Sequence, residues 1–250
     1  PKEFLVFANG ELEEVKESLE EKIWFWRLDK PIPSYLIAFV AGEFVAKEVE
    51  EGEKKFVYVV PKGRENDIDR SFSRTPDIIR FFEELTGVEY PWGKTYKQIC
   101  VSEYLYGGME NASITILTDR TLHDEKAHEE FESEPLIAHE AAHQWFGDLV
   151  TAKDWGNIWV NESFATYMEA LYRRHWKGEE EFVYDLIQML DRYLPEYSNR
   201  YSRPIATRVY KYPSEVFDAH SYPKGALVLR TLHSIIGEEK FKAFLNRLLN

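Results

Sequence analysis

The sequence predicts an α+β protein: antiparallel strands first, then a mixed sheet, then helices. Between residues 3 and 61, short apolar or alternating runs ("EFLVFANG", "KIWFWRLD", "SYLIAFVAGEFV", "KKFVYVVP") are separated by Gly, Pro and charged turns. That is the period-two pattern of antiparallel β structure. After "PKGREND" the apolar spacing becomes helical in "TPDIIRFFEELTG", and beyond residue 133 helical spacing dominates. The change of character sets an expected boundary, with residues 1–62 as the end of a β-rich domain and residues 63–250 as a second domain.

Taken in order, Thr75 is expected to cap the first helix, with Pro76 at its first position and Gly87 as its stop. Strands are expected at 96–104 and 113–118, with "GGMEN" at 107–111 between them. Ser133 should cap a helix that has Pro135 in its first turn and runs through "EPLIAHEAAHQWF" to a stop at Gly147. Asn161 can cap "ESFATYMEALYRRHW", which ends by Gly178, and later helices are expected at about 179–193, 222–236 and 238–249.

Composition narrows the classes of function. The chain has 250 residues, enough for one large or two modest domains with real cores. Lys plus Arg number 31 against 44 Asp plus Glu, a net charge of -13. That charge repels nucleic-acid phosphates and anionic lipid, so neither is an expected partner. The longest apolar stretch, Tyr35 to Ala41, is far too short to cross a bilayer, and no basic-then-apolar leader opens the chain. The single cysteine, Cys100, excludes an internal disulfide and reads as a buried structural thiol in a reducing, cytoplasmic compartment. Abundant Glu and Lys with few Gln is the balance of a heat-adapted, thermostable protein.

The chemistry concentrates in "HEAAHQWFGDLVTAKDWGNIWVNES", residues 139 to 163. Four residues on a helix turn about 40° past a full revolution, so His139 and His143 project from one face and can share an ion. Glu140 lies to the side, where its carboxylate can serve as general base to a water without ligating the metal. Glu162 is the expected third ligand, given a second helix packed antiparallel against the first. Two imidazoles, one carboxylate and an open fourth position describe a catalytic zinc. At this composition an HExxH arises by chance in roughly 3% of such chains, and a glutamate at one named later position multiplies that by about 0.13. Of the other histidines, His123 and His128 lie in a polar segment read as exposed, His175 in the basic end of a helix, and His220 is read as a turn residue.

With "GGMEN" upstream, "HEAAH" followed at the right interval by "NESFATYME", and "SYPKGALVL" downstream, the sequence resembles the zinc aminopeptidases of the aminopeptidase N family, which are gluzincin metallopeptidases. "PSYLIAFVAGEF" and "FFEELTGVEYPWGK" extend the likeness over nearly the whole chain. The resemblance implies a thermolysin-like catalytic domain over 63–250 and one Zn2+ per chain, bound by His139, His143 and Glu162, with Glu140 activating the water. It also implies that Glu110 holds the substrate's free α-amine and that Tyr222 donates to the oxyanion formed as water attacks the carbonyl. Gly107, Gly108 and Met109 would pair with an extended substrate as an added strand, the glycines allowing close approach. Thr166, one turn after Glu162, is either a partner behind that ligand or plain helix surface.

The function so implied is a hydrolase of peptide catabolism, an aminopeptidase acting on peptides with a free N-terminus. A zinc endopeptidase with an open cleft and a non-catalytic zinc-containing scaffold are the alternatives. Family members normally carry a complete β domain before the catalytic domain and a large helical domain after it, whereas this chain is expected to begin inside the first and stop before the last. Self-association or a partner chain covering the missing domains is therefore an expected partnership. The second position of the family's usual "GAMEN" is glycine here, Gly108.

Overall fold

The computed structural model describes residues 2–250. Two compact units emerge: residues through Ile79 with Tyr90–Gln144, and Arg80–Glu89 with Trp145–Asn250. Their secondary structure follows the expected α+β order.

The first unit begins with β1 (Leu5–Ala8), β2 (Glu11–Glu17), β3 (Lys22–Arg27) and β4 (Phe39–Gly42). These form two antiparallel pairs, β1 with β4 and β2 with β3. Next come β5 (Phe44–Glu51), β6 (Lys54–Pro61), β7 (Thr95–Val101), β8 (Gly108–Met109) and β9 (Ile114–Thr118), one sheet in the order β5-β6-β7-β9-β8. β5 and β8 pair antiparallel with their neighbours, while β6, β7 and β9 run parallel. Parallel neighbours need a crossover; for β6 and β7 it contains the helices α1 (Ile68–Phe72) and α2 (Thr75–Thr86). The sheet thus joins strands on both sides of residue 62.

Five side chains, Phe7, Val57, Val59, Ile99 and Ile114, form the centre of one buried face, flanked by Trp26, Val40 and Phe44. Burial of each contributes about 1.5–3 kcal/mol. On the opposite face of β6, Tyr58 stacks on Phe72 of α1 with ring centroids 5.1 Å apart. Cys100 is fully buried, which pushes its thiol pKa up, as expected of an inert structural residue. Lys97, also in β7, is 1% exposed, and its ammonium donates to Gly10 O at 2.5 Å while lying over the Trp26 ring. Glu11 anchors the start of β7 by accepting from the backbone N–H groups of Lys94 and Thr95.

The α3 helix (Glu134–Ala142) completes the first unit. The second unit is helical: the end of α2 from Arg80, then α4 (Trp159–Lys177), α5 (Glu179–Asn199), α6 (Gly225–Ile236) and α7 (Glu238–Leu249). α4 is buried on most sides, and its Tyr167 packs edge-on to Phe241 at 5.7 Å while Phe164 stacks on Phe146 at 4.8 Å. Gly178, at φ 98°, ends α4 as expected. His233 is buried, hydrogen-bonded to Tyr167 Oη at 2.7 Å and Glu238 at 3.0 Å. No helix among the described residues is long and apolar enough to cross a membrane.

Several local expectations are corrected, each because a tertiary partner claims the group. Thr75 is the first residue of α2 and donates its hydroxyl to Gln98 Oε1 at 2.7 Å. Ser133 precedes α3 without capping it, its hydroxyl going to Ser71 O at 2.7 Å. Asn161 lies inside α4, where its side chain accepts from Ala152 N at 3.0 Å. α3 stops at Ala142, well before Gly147, and α5 continues through Pro195 to Asn199. His123 is buried, not exposed, with Ser71 and Thr121 on one ring nitrogen and His128 on the other.

Candidate active site

Within the first unit, α3 carries His139, and His143 is the residue that caps its C-terminal end. The buried side chains of α3 include Ile137, Ala138, Ala141 and Ala142, small or apolar residues that permit close packing. His139 is partly exposed and His143 is buried. Their Nε2 atoms are 3.2 Å apart and their ring centroids 4.9 Å apart. Two nitrogens bound tetrahedrally to one zinc at about 2.05 Å would lie roughly 3.3 Å apart. The spacing on the helix therefore gives a separation that two ligands of one ion would have.

Glu140 turns toward β8, the last strand of the sheet. A Cβ on Gly108 would fall 2.4 Å from the Glu140 carboxyl carbon, so glycine leaves the space that the carboxylate fills. β8 consists of Gly108 and Met109, paired with Leu117 and Ile116 of β9. Gly107 stands just before it and accepts from Thr118 N at 2.9 Å. Glu110, buried at 7% exposure, follows at once. One ligand atom each from Glu110, Glu140 and His143 lies within 4.8 Å of the other two. The proposed amine anchor, the proposed base and one imidazole thus converge inside one unit.

Two residues that the sequence did not single out shape this cluster. Gln144 is fully buried, and its side-chain amide donates to Glu110 O at 3.0 Å and accepts from Ser113 N at 2.9 Å. It clamps the loop after β8 to the segment that follows α3; the signal was only its position next to His143. Tyr104, three residues before Gly107, has its phenol pKa pushed up to about 12 by burial and by the negative charges of Glu140 and Glu110. An aromatic so close to the glycine pair was the signal.

The second unit holds the remaining candidates. Glu162 sits buried in the first turn of α4, where the helix dipole favours a carboxylate. Thr166 is buried, not surface, and its hydroxyl has no hydrogen-bond partner among the described residues. Tyr222 lies partly exposed in a π-helix, His220–Lys224, directly before α6. Ser163, next to Glu162, donates its hydroxyl to Ser221 O at 2.7 Å. A Cβ on Gly225 would lie 1.7 Å from that same hydroxyl, so only glycine lets the two segments meet. His220 is fully buried in this segment, not an exposed turn residue.

Residues 70–250 match the peptidase family M1 domain, and the chain belongs to that family. Among its relatives, "Probable aminopeptidase 2" of Sulfurisphaera tokodaii is 31% identical over 256 aligned positions, covering 100% of this chain and 32% of the relative. "Aminopeptidase 2, mitochondrial" of Saccharomyces cerevisiae is 33% identical over 92% of this chain and 25% of its own length. "Glutamyl aminopeptidase" of Sus scrofa is 32% identical over 97% of this chain and 26% of its own. The chain thus spans about a quarter to a third of the length of these curated relatives.

Proposed function

We propose that this chain carries the catalytic part of a zinc aminopeptidase, a hydrolase that removes residues from the amino end of peptides. The observation that carries the proposal is the convergence of Glu110, Glu140 and His143 beside the terminal strand β8. Its catalytic part is residues 63–250, which include the family match, and the β5–β6 hairpin extends the same sheet.

The donor chemistry fits a zinc ion. His139 and His143 supply two nitrogens at ligand separation, and Glu162 is the third ligand on the strength of its place in the HEAAH…NES motif. When bound, zinc supplies a lowered water pKa and polarisation of the substrate carbonyl. Glu110 pairs with the substrate's α-ammonium, which would be costly to bury without a counter-charge. Gly107, Gly108 and Met109 offer backbone at the sheet edge to an extended peptide. Glu140 takes the proton from the attacking water on its carboxylate and returns it to the departing amine. Tyr222 donates its hydroxyl hydrogen to the carbonyl oxygen as negative charge develops there. A reducing, cytoplasmic compartment and a heat-adapted source accord with Cys100 and the charge composition.

The test is a panel of aminoacyl-arylamides and peptides, free or N-acetylated, with metal content measured alongside. About one zinc per chain, cleavage abolished by acetylation, and a Glu140→Gln variant that keeps zinc but loses roughly a hundred- to ten-thousand-fold in kcat are expected. Equal rates on acetylated and free peptides would reject the role of Glu110 and favour an endopeptidase.

A further inference from the structure

We infer that the half-buried Arg203–Asp218 pair is a positioning device for Tyr222: it fixes the π-helical segment that presents the phenol and contributes to turnover only through it. The inference rests on the oxyanion role proposed for Tyr222.

A π-helix is an uncommon backbone form, found mostly as single turns at functional sites and kept where surrounding contacts determine it. Here His220–Lys224 also contains Pro223, which has no N–H to donate. The backbone bonds of the segment are Ser221 N and Tyr222 N both donating to Asp218 O, at 3.1 and 3.2 Å, and Lys224 N to Ala219 O at 3.0 Å. The Asp218 side chain adds to these. Its Oδ1 accepts from the backbone N–H groups of His220 and Ser221, each at 3.0 Å, acting as a cap on the segment.

That carboxylate is itself held by a fork. Arg203 Nε donates to Oδ2 at 2.8 Å and Nη2 to Oδ1 at 2.5 Å, while Tyr201 Oη donates to Oδ2 at 2.7 Å. Arg203 Nη2 also reaches Ser221 Oγ at 2.9 Å, and Nη1 donates to Pro204 O at 2.8 Å and Ile205 O at 3.0 Å. The two side chains are 10% and 6% exposed. A bidentate guanidinium–carboxylate pair sheltered from water sets direction as well as distance. Asp218 is held well below the usual carboxylate range: burial opposes ionisation, and the bonds from Arg203 and Tyr201 overcome it.

The other side of the segment is tied as well. Glu196 Oε1 accepts from Ala219 N at 3.0 Å and from His220 Nδ1 at 3.2 Å, and His220 Nε2 accepts from Arg203 N at 3.3 Å. Glu196, Asp218 and His220 could by composition hold a cation. These bonds engage both nitrogens of the imidazole and both oxygens of Asp218, and a cation there would have to displace the Arg203 guanidinium from its carboxylate. The cluster therefore reads as scaffolding, and what it supports is the residue two positions after His220.

The experiment measures kcat and KM for Arg203→Lys, which keeps the charge and removes the fork, in the zinc-loaded chain with Tyr222 intact and with Tyr222→Phe. Tyr222→Phe should lower kcat roughly a hundred- to a thousand-fold. Arg203→Lys should lower kcat by about tenfold or more with KM within about twofold, and should add less than about twofold once Tyr222 is Phe, because residues acting as one unit are not additive. Hydrogen exchange in the metal-free protein should quicken across residues 218–224 and not across α4. Equal kcat losses in both backgrounds, or unchanged exchange at 218–224, would overturn the inference. A normal kcat for Tyr222→Phe would instead overturn the oxyanion role and the inference with it. Should Arg203→Lys fail to fold, Ser221→Ala removes one of its bonds and should show the same dependence on Tyr222 at a few-fold scale.

Discussion

Gly108→Ala tests whether the space beside β8 belongs to the catalytic carboxylate. The new methyl carbon would lie 2.4 Å from Glu140 Cδ and Oε1 and 2.6 Å from Cγ. Ordinary contact begins near 3.4 Å, so the carboxylate must retreat by about 1 Å. Gly108 is not among the glycines at positive φ, so the backbone accepts alanine, and loss of glycine's freedom in the unfolded chain favours folding by about 0.4–1 kcal/mol. A catalytic group displaced by about 1 Å costs on the order of a hundredfold in rate. The expected result is kcat/KM reduced roughly ten- to a hundredfold, zinc retained, and a Tm unchanged or slightly raised. Steady-state kinetics with a free-amine arylamide, metal analysis and thermal unfolding on the same preparation decide it. Full activity, or a loss that merely follows lost stability, would refute the placement of Glu140.

Three further outcomes follow from groups described above. Lys97 has a folded-state pKa pushed down to about 8 by burial, so its penalty on folding is fully present below that value and relieved as pH rises toward its unfolded value of about 10.5. Relative to Lys97→Met, the parent chain should gain on the order of 3 kcal/mol between pH 8 and 10.5 in denaturant titrations, and parallel curves would exclude it. Gln144→Leu leaves Glu110 O and Ser113 N without the amide that joins them; a loss of about 2–5 kcal/mol in urea unfolding is expected, and a loss below about 0.5 kcal/mol would show that the clamp is not structural. Gly225→Ala drives a carbon to 1.7 Å from Ser163 Oγ, so the soluble yield or Tm should fall clearly, with Ser163→Gly restoring part of it; no rescue would place the strain elsewhere.

Much of the site was legible because its signals are local. His139 and Glu140 lie in one helix and His143 caps its end, so the helical period alone puts the imidazoles together; the strands expected at 96–104 and 113–118 lie at 95–101 and 114–118, the first ending three residues early. What the sequence hid was decided by partners far along the chain. The backbone around Tyr222 reads as the start of an ordinary helix until Asp218 and Arg203 impose a wider turn. Thr75, Ser133 and Asn161 have the chemistry of caps, yet each side chain answers to a residue elsewhere in the chain. His123 and His220 sit in polar runs and are nonetheless buried, because Ser71, Glu196 and Arg203 satisfy their nitrogens. The parallel pairing of β6 with β7 spans more than thirty residues, and no period-two signal announces it.

Gln144 has one more consequence. By bonding to Glu110 O and Ser113 N from the position next to His143, it ties the strand edge and the end of α3 into one gauge. If Glu110 and Glu140 have the roles proposed for them, the distance between them sets how far from its amino end a peptide would be cut. Such a gauge counts backbone atoms and ignores side chains. On that reading it would fix the number of residues removed per turnover and leave other parts of the protein free to choose which residue that is.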